Sequence, residues 1–406
     1  MVTTTDKPVA TGIQLTPLDE PFRADPYPIL ADLRTREPAH RDTELNRVFL
    51  TRHDEVHDVL RSKAMWVDAR KARDDSFHAM FLRFREEQPS MLMMDDPDHR
   101  RLRALVSRPF MPKSVESWRT RVRAVVDRVL GAIDAAEPFD LIAEFAGPVP
   151  TVVIAEMLGI DTTDYANFKA WSDAGVQVAF NPFPEPEAQA VADAAQANLD
   201  ALFRTEIANR HASLGDDLIS DMVRAEEAGE TLTDDEIVIQ CNLLLVAGNV
   251  TTTDLIGNGV KALLEHPDQL DKLRARPELI QNAVEEVLRY DTPVVNSARI
   301  AHQDMKIGGC PIQQGETVYV SLAAANRDPD AYPDPDNFDI ERKDTHHHAF
   351  GGGNHHCLGA PLSRIEAQEA ILALFERFPG LRVAERGYTY HAIPSFRGVS
   401  EFWVEP

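Results

Sequence analysis

Cysteine is scarce in this chain of 406 residues, which contains only Cys241, Cys310 and Cys357. Three widely spaced thiols cannot build a disulfide framework or a four-cysteine zinc site, and they fit a reducing, cytoplasmic setting. Basic residues are also in the minority, 42 against 66 acidic ones, and the net charge of −24 repels nucleic acid. Long hydrophobic runs are missing, since the densest, residues 243–247, is far too short for a bilayer. We therefore expect a globular protein without a nucleic-acid partner, a signal sequence or a membrane anchor.

Helical patterns dominate the sequence that is present. Residues 118–264 follow a mostly helical periodicity. Clusters of proline and glycine divide this stretch into short helices, at residues 148–150, 181–184 and 215–217. Residues 1–28 are rich in Thr and Pro and lack helical periodicity, so they are predicted as an extended N-terminal arm. The pattern predicts a mainly α protein in which residues 29–406 form a single domain.

One long helix is predicted from Thr233 to Leu264. Thr233 and Glu236 match a capping box, and Pro267 stops the helix after about 30 residues, or roughly 45 Å. Its middle, residues 247–253, combines Gly with β-branched Thr and forms helix poorly. Either Gly248 allows close helix packing, or the stretch is a groove where a ligand lies against the backbone.

A second helix is predicted from Pro277 to Tyr290, followed by short strands late in the chain. Glu286 and Arg289 are three residues apart and can pair, which on a surface contributes less than about 1 kcal/mol. Glycine-punctuated apolar segments predict the strands, at residues 297–302, 305–307 and 317–321. The small β region is therefore expected in this part of the sequence.

A glycine-rich loop over residues 348–361 precedes a final helix that ends near Phe378. Three successive glycines allow positive φ and close approach to a flat group, and Cys357 stands just before the helix. Amides and partial positive charge at a helix start favour a thiolate, which is the ligand form for a soft metal centre. The alternative is a cysteine that acts only as a small buried hydrophobe.

These residues resemble the cytochrome P450 family. The segment Phe350-Gly-x-Gly353-x-His355-x-Cys357-x-Gly359 is similar to the haem-binding loop of that family. The other family motifs follow in the expected order, namely His99-x-x-x-Arg103, Ala247-Gly248-x-x-Thr251, Glu286-x-x-Arg289 and Arg299. The resemblance implies the P450 fold, a helix-rich single domain with a small β-rich region. It also implies a haem-thiolate monooxygenase of the soluble bacterial type, which inserts one oxygen atom from O2 into an apolar small organic molecule.

The resemblance also assigns roles to individual residues. Cys357 would be the axial thiolate of haem b, whose electron donation favours O–O cleavage. The haem propionates would be bound by His99, Arg103, Arg299 and His355. Further contacts to haem would come from Ala247, Gly248, Phe350, Gly351, Gly353 and Gly359. Glu286 and Arg289 would form a buried pair behind the haem, where losing one partner costs about 3–5 kcal/mol. The estimate of less than about 1 kcal/mol for a surface pair would then not apply to them.

Two positions depart from the family pattern. Thr251 and Thr252 are the candidate catalytic alcohols, but the residue before them is Val250, where relatives commonly carry an acid. Proton delivery would then rely on water, Thr252 or Asp254. Asn337 stands where many relatives carry Arg beside the Glu-Arg pair, and the candidate substitutes are Arg327 and Arg342. The consecutive histidines at residues 346–348 are predicted as a solvated loop without metal, because neighbouring side chains point in different directions.

Substrate and redox partners are also assigned by resemblance. Substrate contacts are expected from Val246, Val294, Val295, Phe396 and the loop over residues 65–92, which suits a terpenoid, fatty acyl or aromatic compound. Electrons would come from NAD(P)H through a ferredoxin reductase and a 2Fe–2S ferredoxin. Residues 97–128 hold nine basic residues against three acidic ones, which favours docking of an acidic ferredoxin on a monomeric enzyme. A peroxide-using oxidase and a haem sensor without chemistry remain as alternatives.

Overall fold

The computed structural model describes residues 8–82, 89–134, 136–161, 165–179, 181, 184–227 and 232–406. Three sequence predictions lie partly outside the described residues: the arm at residues 1–7, the substrate-facing loop at 83–88 and the helix break at 182–183. The helices are α1 (Glu20–Ala24), α2 (Tyr27–Arg36), α3 (His53–Arg61), α4 (Phe77–Leu82), α5 (Asp98–Ser107), α6 (Pro112–Gly131), α7 (Pro148–Leu158), α8 (Tyr165–Ala179), α9 (Pro186–Ala212), α10 (Leu218–Glu227), α11 (Asp234–Glu265), α12 (Pro267–Ala275), α13 (Ile280–Tyr290), α14 (Leu322–Asn326) and α15 (Ala360–Arg377).

The strands form three small sheets. They are β1 (Ala39–Asp42), β2 (Arg47–Leu50), β3 (Met65–Trp66), β4 (Phe139–Asp140), β5 (Asn296–Ala301), β6 (Met305–Ile307), β7 (Cys310–Ile312), β8 (Thr317–Ser321), β9 (Arg382–Tyr390) and β10 (Val399–Glu405). The largest sheet has the order β1-β2-β8-β5-β3, in which only β2 and β8 run parallel. The others are β4-β10-β9 and the β6-β7 hairpin. The protein is therefore mainly α with a small β region, as predicted.

Helix α11 is the central element of the helical core. Its start has the predicted capping box: the Glu236 amide donates to Thr233 Oγ1 at 3.2 Å, and the Thr233 amide donates to Glu236 Oε2 at 3.0 Å. The helix runs for 32 residues, about 48 Å, until Pro267 begins α12. It contacts α7, α8, α9, α13 and α15, so it crosses the whole helical layer. The predicted long helix is confirmed.

Close packing on α11 occurs at Gly257 and Gly259. A Cβ at these positions would lie 2.9 Å from the terminal methyl group of Ile142 and 2.7 Å from that of Ile371, so a side chain there would force these groups to move. A Cβ at Gly248 would have Ile154 as its nearest neighbour, at 4.0 Å. Gly248 is therefore not required for helix packing, and of the two interpretations of this stretch the structure favours the groove.

Two predictions about chain organisation are wrong. The described part of the arm is not extended, because it forms a 3-10 turn at Gly12–Leu15, then α1 and the start of α2. The β structure is not confined to residues 297–321, because β1 and β2 come early and β9 and β10 come last. The second predicted helix is present as a 3-10 turn, Pro277–Leu279, followed by α13.

Among the described residues, none of the helices combines the length and apolarity that crossing a membrane would need.

Candidate active site

A cavity of about 370 Å³ lies where α5, α11, the start of β5 and the loop before α15 converge. Most of the predicted site residues line it. They are His99, Arg103, Val246, Ala247, Gly248, Thr251, Thr252, Val294, Arg299, Phe350, Gly351, His355, Cys357, Gly359 and Phe396. The folded chain thus brings residues from distant parts of the sequence together around one space.

Two predicted site residues do not line this cavity. Val295 is buried in a separate cluster with Leu15 and Phe22, so it supports the wall from behind. Gly353 has a φ of +66°, and a Cβ there would lie 2.5 Å from the carbonyl oxygen of Leu60. Gly353 is therefore required by the close approach of the loop to the end of α3, and its contact with the cofactor stays a prediction.

Cys357 presents its sulfur to the cavity from the end of the glycine-rich loop. The loop is held by the Cys357 amide, which donates to the Phe350 carbonyl at 3.0 Å. Burial raises the pKa of the thiol, while the amides of Gly359 and Ala360 and the charge of Arg103 lower it without reversing the direction. The helix start thus acts in the direction that the sequence predicts, but burial outweighs it. A metal cation at the sulfur would supply the missing stabilisation.

Two arginines in the cavity wall have no carboxylate partner. Arg299 is nearly fully buried and donates to Ser297 Oγ at 2.9 Å and to the Ala298 carbonyl at 2.8 Å. Burial lowers its pKa to about 10. Arg103 donates to the His356 carbonyl at 2.6 Å, and burial lowers its pKa as well. Neither guanidinium has a carboxylate oxygen within 4.0 Å in the described part of the chain. Such cations call for an anionic ligand.

Two histidines complete this side of the cavity. The rings of His99 and His355 are in contact, with centroids 4.0 Å apart and planes tilted by 32°. Burial, then the neighbouring His99, Arg299 and Arg103, lower the pKa of His355 to about 3, so it is a neutral donor or acceptor at pH 7. The sulfur of Cys357 fits the iron of haem. The two guanidinium groups without carboxylate partners and the two imidazoles fit its two carboxylates. The residues present therefore suit this cofactor.

Thr251 and Gly248 belong to the part of α11 that faces the cavity. Thr251 Oγ1 donates to the Ala247 carbonyl at 2.8 Å, and all three residues line the space. Thr252 is buried and lines the cavity as well. Val250 packs beside Val176 and Phe396, so an apolar side chain occupies the place of the family acid. The hydroxyl groups are thus the polar groups that this stretch of α11 offers to a ligand.

The acidic residue that lines the cavity is Glu366, and not Asp254, which the sequence suggested. Asp254 is held by His391 Nε2 at 3.1 Å and does not line the cavity, so its predicted part in proton delivery has no support in the geometry. Glu366 on α15 is buried and does line the cavity, and burial raises its pKa well above the usual range. The sequence analysis missed this residue. An acid between buried Ile365 and Ala367 on an apolar helix is the signal that could have revealed it.

The predicted pair of Glu286 and Arg289 is fully buried. Arg289 Nε donates to Glu286 Oε2 at 2.7 Å, and Arg289 Nη2 donates to Oε1 at 2.8 Å. The second arginine of the cluster is Arg342, whose Nε donates to Glu286 Oε1 at 3.2 Å. Arg342 and Arg289 also donate to the Asn337 carbonyl. Arg342, and not Arg327, therefore replaces the arginine that relatives carry at the position of Asn337.

The three consecutive histidines lie in different surroundings. His346 is exposed, His347 lies 3.3 Å from Glu285, and His348 is buried against the ring of His53. The prediction of a solvated loop is correct only for His346. Within the described ranges, no group of three potential ligands could hold a metal ion.

Ion pairs neutralise much of the basic segment. Carboxylates hold Arg101, Arg119, Arg123 and Arg128. In the described part of the chain, the same segment has four exposed basic residues without such a partner and one exposed apolar residue, Met111; the basic residues are Arg100, Arg108, Lys113 and Arg121. We call these five residues the basic patch. It lies on α5, α6 and the turn between them.

The fold and this site define a haem-thiolate enzyme. The cytochrome P450 family model matches residues 41–381, and the chain belongs to that family. The chain is 40% identical over 408 residues to the cytochrome P450 monooxygenase PikC of Streptomyces venezuelae, covering 98% of this chain and 94% of that one. It is therefore an oxidoreductase of the oxygen-incorporating class, which uses haem and O2.

Solved structures share the fold over nearly the full length. P450BioI in complex with hexadec-9Z-enoic acid ligated acyl carrier protein matches with a TM-score of 0.87 at 35% identity, covering 96% of this chain and all of that one. CYP109E1 from Bacillus megaterium in complex with testosterone matches with a TM-score of 0.84 at 32% identity, covering 95% and 99%. The relatives thus carry names and ligands of several chemical kinds.

Proposed function

We propose that this enzyme hydroxylates an apolar small organic molecule with electrons that NAD(P)H supplies through a ferredoxin reductase and a 2Fe–2S ferredoxin. The supporting observation is that one cavity contains the Cys357 thiol, two arginines without carboxylate partners and the Thr251 hydroxyl, while much of its wall is apolar. In the overall reaction one oxygen atom of O2 enters the product and the other leaves as water, which consumes two electrons and two protons. The three cysteines are free, which supports a cytoplasmic setting.

The residues of the chain divide this work. Haem, when bound, supplies the activation of O2. Cys357 would hold its iron, and Arg103, Arg299, His99 and His355 would hold its carboxylates. Apolar side chains such as Val246, Val294 and Phe396 exclude water and hold the hydrocarbon part of the substrate.

Protons must reach the site without an acid at position 250. We assign the last transfer to Thr251, whose Oγ1 can accept from an ordered water while it donates to the Ala247 carbonyl, and can donate to a second water once that bond is broken by rotation of the hydroxyl group. We assign Glu366 as a second proton source, because it lines the same cavity and burial raises the pKa of its carboxyl group. Thr252 is a further buried residue of the cavity wall that carries a hydroxyl group.

The basic patch is the proposed ferredoxin site. Arg103 on α5 donates to the carbonyl of His356, the residue before Cys357, so α5 adjoins the cysteine loop. This contact supports a docking surface on the side of the molecule where α5 approaches the thiol ligand. An acidic ferredoxin would be steered there by charge, with exposed Met111 as an apolar contact.

The central test is the Cys357→Ala variant. We expect it to lose the strongly red-shifted Soret band of the reduced carbon monoxide complex, since the thiolate produces that band. Cys241→Ala serves as the matched control, because Cys241 is buried away from the cavity and should leave the band unchanged. Survival of the band in Cys357→Ala would disprove the assignment.

A second experiment tests the electron source. It compares the product formed with NAD(P)H, ferredoxin and reductase with the product formed with hydrogen peroxide. Faster turnover with peroxide alone would favour the peroxide-using alternative, which the missing acid at Val250 makes worth testing. Absence of product under both conditions, with substrate bound, would favour a sensor.

A further inference from the structure

Asn296 is a buried polar residue in the wall of the cavity. It begins β5, is only 5% exposed, and lines the cavity beside Val294. Its Oδ1 atom is buried and has no hydrogen-bond partner among the described residues. Nearly all buried polar groups in proteins are paired, so an unpaired one in a binding cavity points to a ligand that completes it.

Two more polar residues line the cavity close to Asn296. The Val295 amide donates to the Ser395 carbonyl at 2.9 Å, which fixes the loop of Ser395 against the start of β5. Ser395 has a φ of +68°, an unusual conformation for a residue other than glycine. Tyr319 lies on the neighbouring strand β8, and its ring is packed edge-on against Phe77 at 5.5 Å. Asn296, Tyr319 and Ser395 all line the cavity, and we call them the polar corner.

Among the described residues that line the cavity, no charged group is left to bind a charged substrate. Arg103 and Arg299 are assigned to the haem carboxylates. Burial raises the pKa of Glu366, which favours its neutral form. Burial also lowers the pKa of every histidine in this lining; they are His78, whose pKa falls to about 4, His99, His355 and His356. An anionic or cationic head group would lose its hydration without gaining an opposite charge. The polar corner therefore suits a group that is polar but uncharged.

We propose that Asn296 is a specificity-determining residue, whose Oδ1 accepts a hydrogen bond from a hydroxyl group on a neutral, otherwise apolar substrate. This inference rests on the proposed function and narrows its substrate class to neutral alcohols, against fatty acids and amines. Binding the polar group at this corner fixes which part of the apolar skeleton is presented for hydroxylation.

Stability provides the first test, because it needs no substrate. In Asn296→Leu the orphan polar atom is replaced by an apolar group of similar volume, so we expect the unfolding midpoint of the holoenzyme to rise by about 1–4 °C. The matched control is Asn326→Leu. Asn326 is equally buried, but it accepts from the His348 amide at 2.7 Å and donates to the Leu288 carbonyl at 3.4 Å. The control should lower the midpoint.

Binding provides the second test, measured as the haem spin-state shift. The probes are decan-1-ol and testosterone as neutral ligands, and decanoic acid as an anionic ligand of matched chain length. We expect the wild type to bind at least one neutral probe more tightly than decanoic acid at pH 7.5. Asn296→Leu should lower the affinity for that neutral probe by about tenfold, as the loss of one hydrogen bond predicts. Its affinity for decanoic acid should stay within about twofold of the wild-type value.

The outcomes separate the possible errors. If decanoic acid binds the wild type most tightly, or if Asn296→Leu weakens all probes equally, the inference is wrong. A lower midpoint for Asn296→Leu would mean that a structural water already pairs Oδ1, which also overturns it. Each sample is checked for the carbon monoxide band. A missing band in the wild type would instead defeat the proposed function.

Discussion

Glu286 offers the sharpest test of the buried framework behind the site. Its carboxylate is fully buried and accepts four hydrogen bonds, from Arg289 Nε at 2.7 Å, Arg289 Nη2 at 2.8 Å, the Asp339 amide at 3.0 Å and Arg342 Nε at 3.2 Å. In Glu286→Gln the shape is kept, but the charge is lost and an NH2 group faces arginine donors. Removing one partner of a buried ion pair costs about 3–5 kcal/mol.

The same cluster predicts a smaller effect for Arg342. Its side chain is about 10% exposed and makes one bond to Glu286, so we expect Arg342→Met to cost about 1–2 kcal/mol. An unfolding entropy of about 2.1 cal/mol/K per residue gives about 0.85 kcal/mol/K for 406 residues. The midpoint should therefore fall by about 5 °C in Glu286→Gln and by about 2 °C in Arg342→Met.

Thermal unfolding of the holoenzyme, followed by circular dichroism and by the Soret band, measures both shifts. Arg382→Met is the control, since Arg382 pairs with Glu405 on the surface and should change the midpoint by under 1 °C. The assignment of Arg342 also requires coupling, so adding Arg342→Met to Glu286→Gln should lower the midpoint little further. Fully additive effects would refute the claim that Arg342 replaces the missing arginine at Asn337.

Three further predictions concern the active site. Changing Arg108 and Lys113 together to Glu should slow reduction by an acidic ferredoxin, most strongly below about 0.05 M salt, while Arg128→Glu should not; equal rates at low salt would remove the basic patch as the docking site. Thr251→Ala should lower the fraction of NADH consumption that yields product and release more hydrogen peroxide, whereas Val250→Asp should leave that fraction unchanged or raise it; wild-type coupling in Thr251→Ala would make Thr251 a packing residue. Glu366→Gln should raise the unfolding midpoint at pH 7 but hardly at pH 4. Burial raises the pKa of Glu366 in the native state above the pKa that it has in the unfolded state. The native state therefore loses stability as the pH rises above the pKa of the unfolded state, and glutamine removes this loss. A pH-independent effect would contradict that assignment, and increased peroxide release in this variant would support proton delivery from Glu366.

Local chemical signals were readable in the sequence because each depends on few residues. The capping box of Thr233 and Glu236 marks the start of α11, and the ten-residue loop around Cys357 marks the haem site. Strands β1 and β2 were missed, since four-residue strands carry too little alternation, and β2 obtains its place from pairing with β8 more than 260 residues later. Pairings of that range depend on tertiary packing, which periodicity does not report.

The positions of the acids show the same limit at the site itself. Asp254 is one turn beyond Val250 on α11 and was the natural substitute in the sequence, yet the fold turns it towards His391. Glu366 is more than 110 residues away in the chain but lines the same cavity as Thr251. Spacing along one helix indicates which side chains share a face, and it cannot tell which face meets the cavity. The neighbours of this helix belong to other elements, for example Ile142 beside Gly257 and Ile371 beside Gly259. The apolar Val250 is therefore best understood together with Glu366. Val250 leaves α11 without an acid at the family position, while α15 holds a carboxyl group whose pKa is raised by burial in the wall of the same cavity. Peroxide release by Glu366→Gln decides whether this carboxyl group supplies the proton.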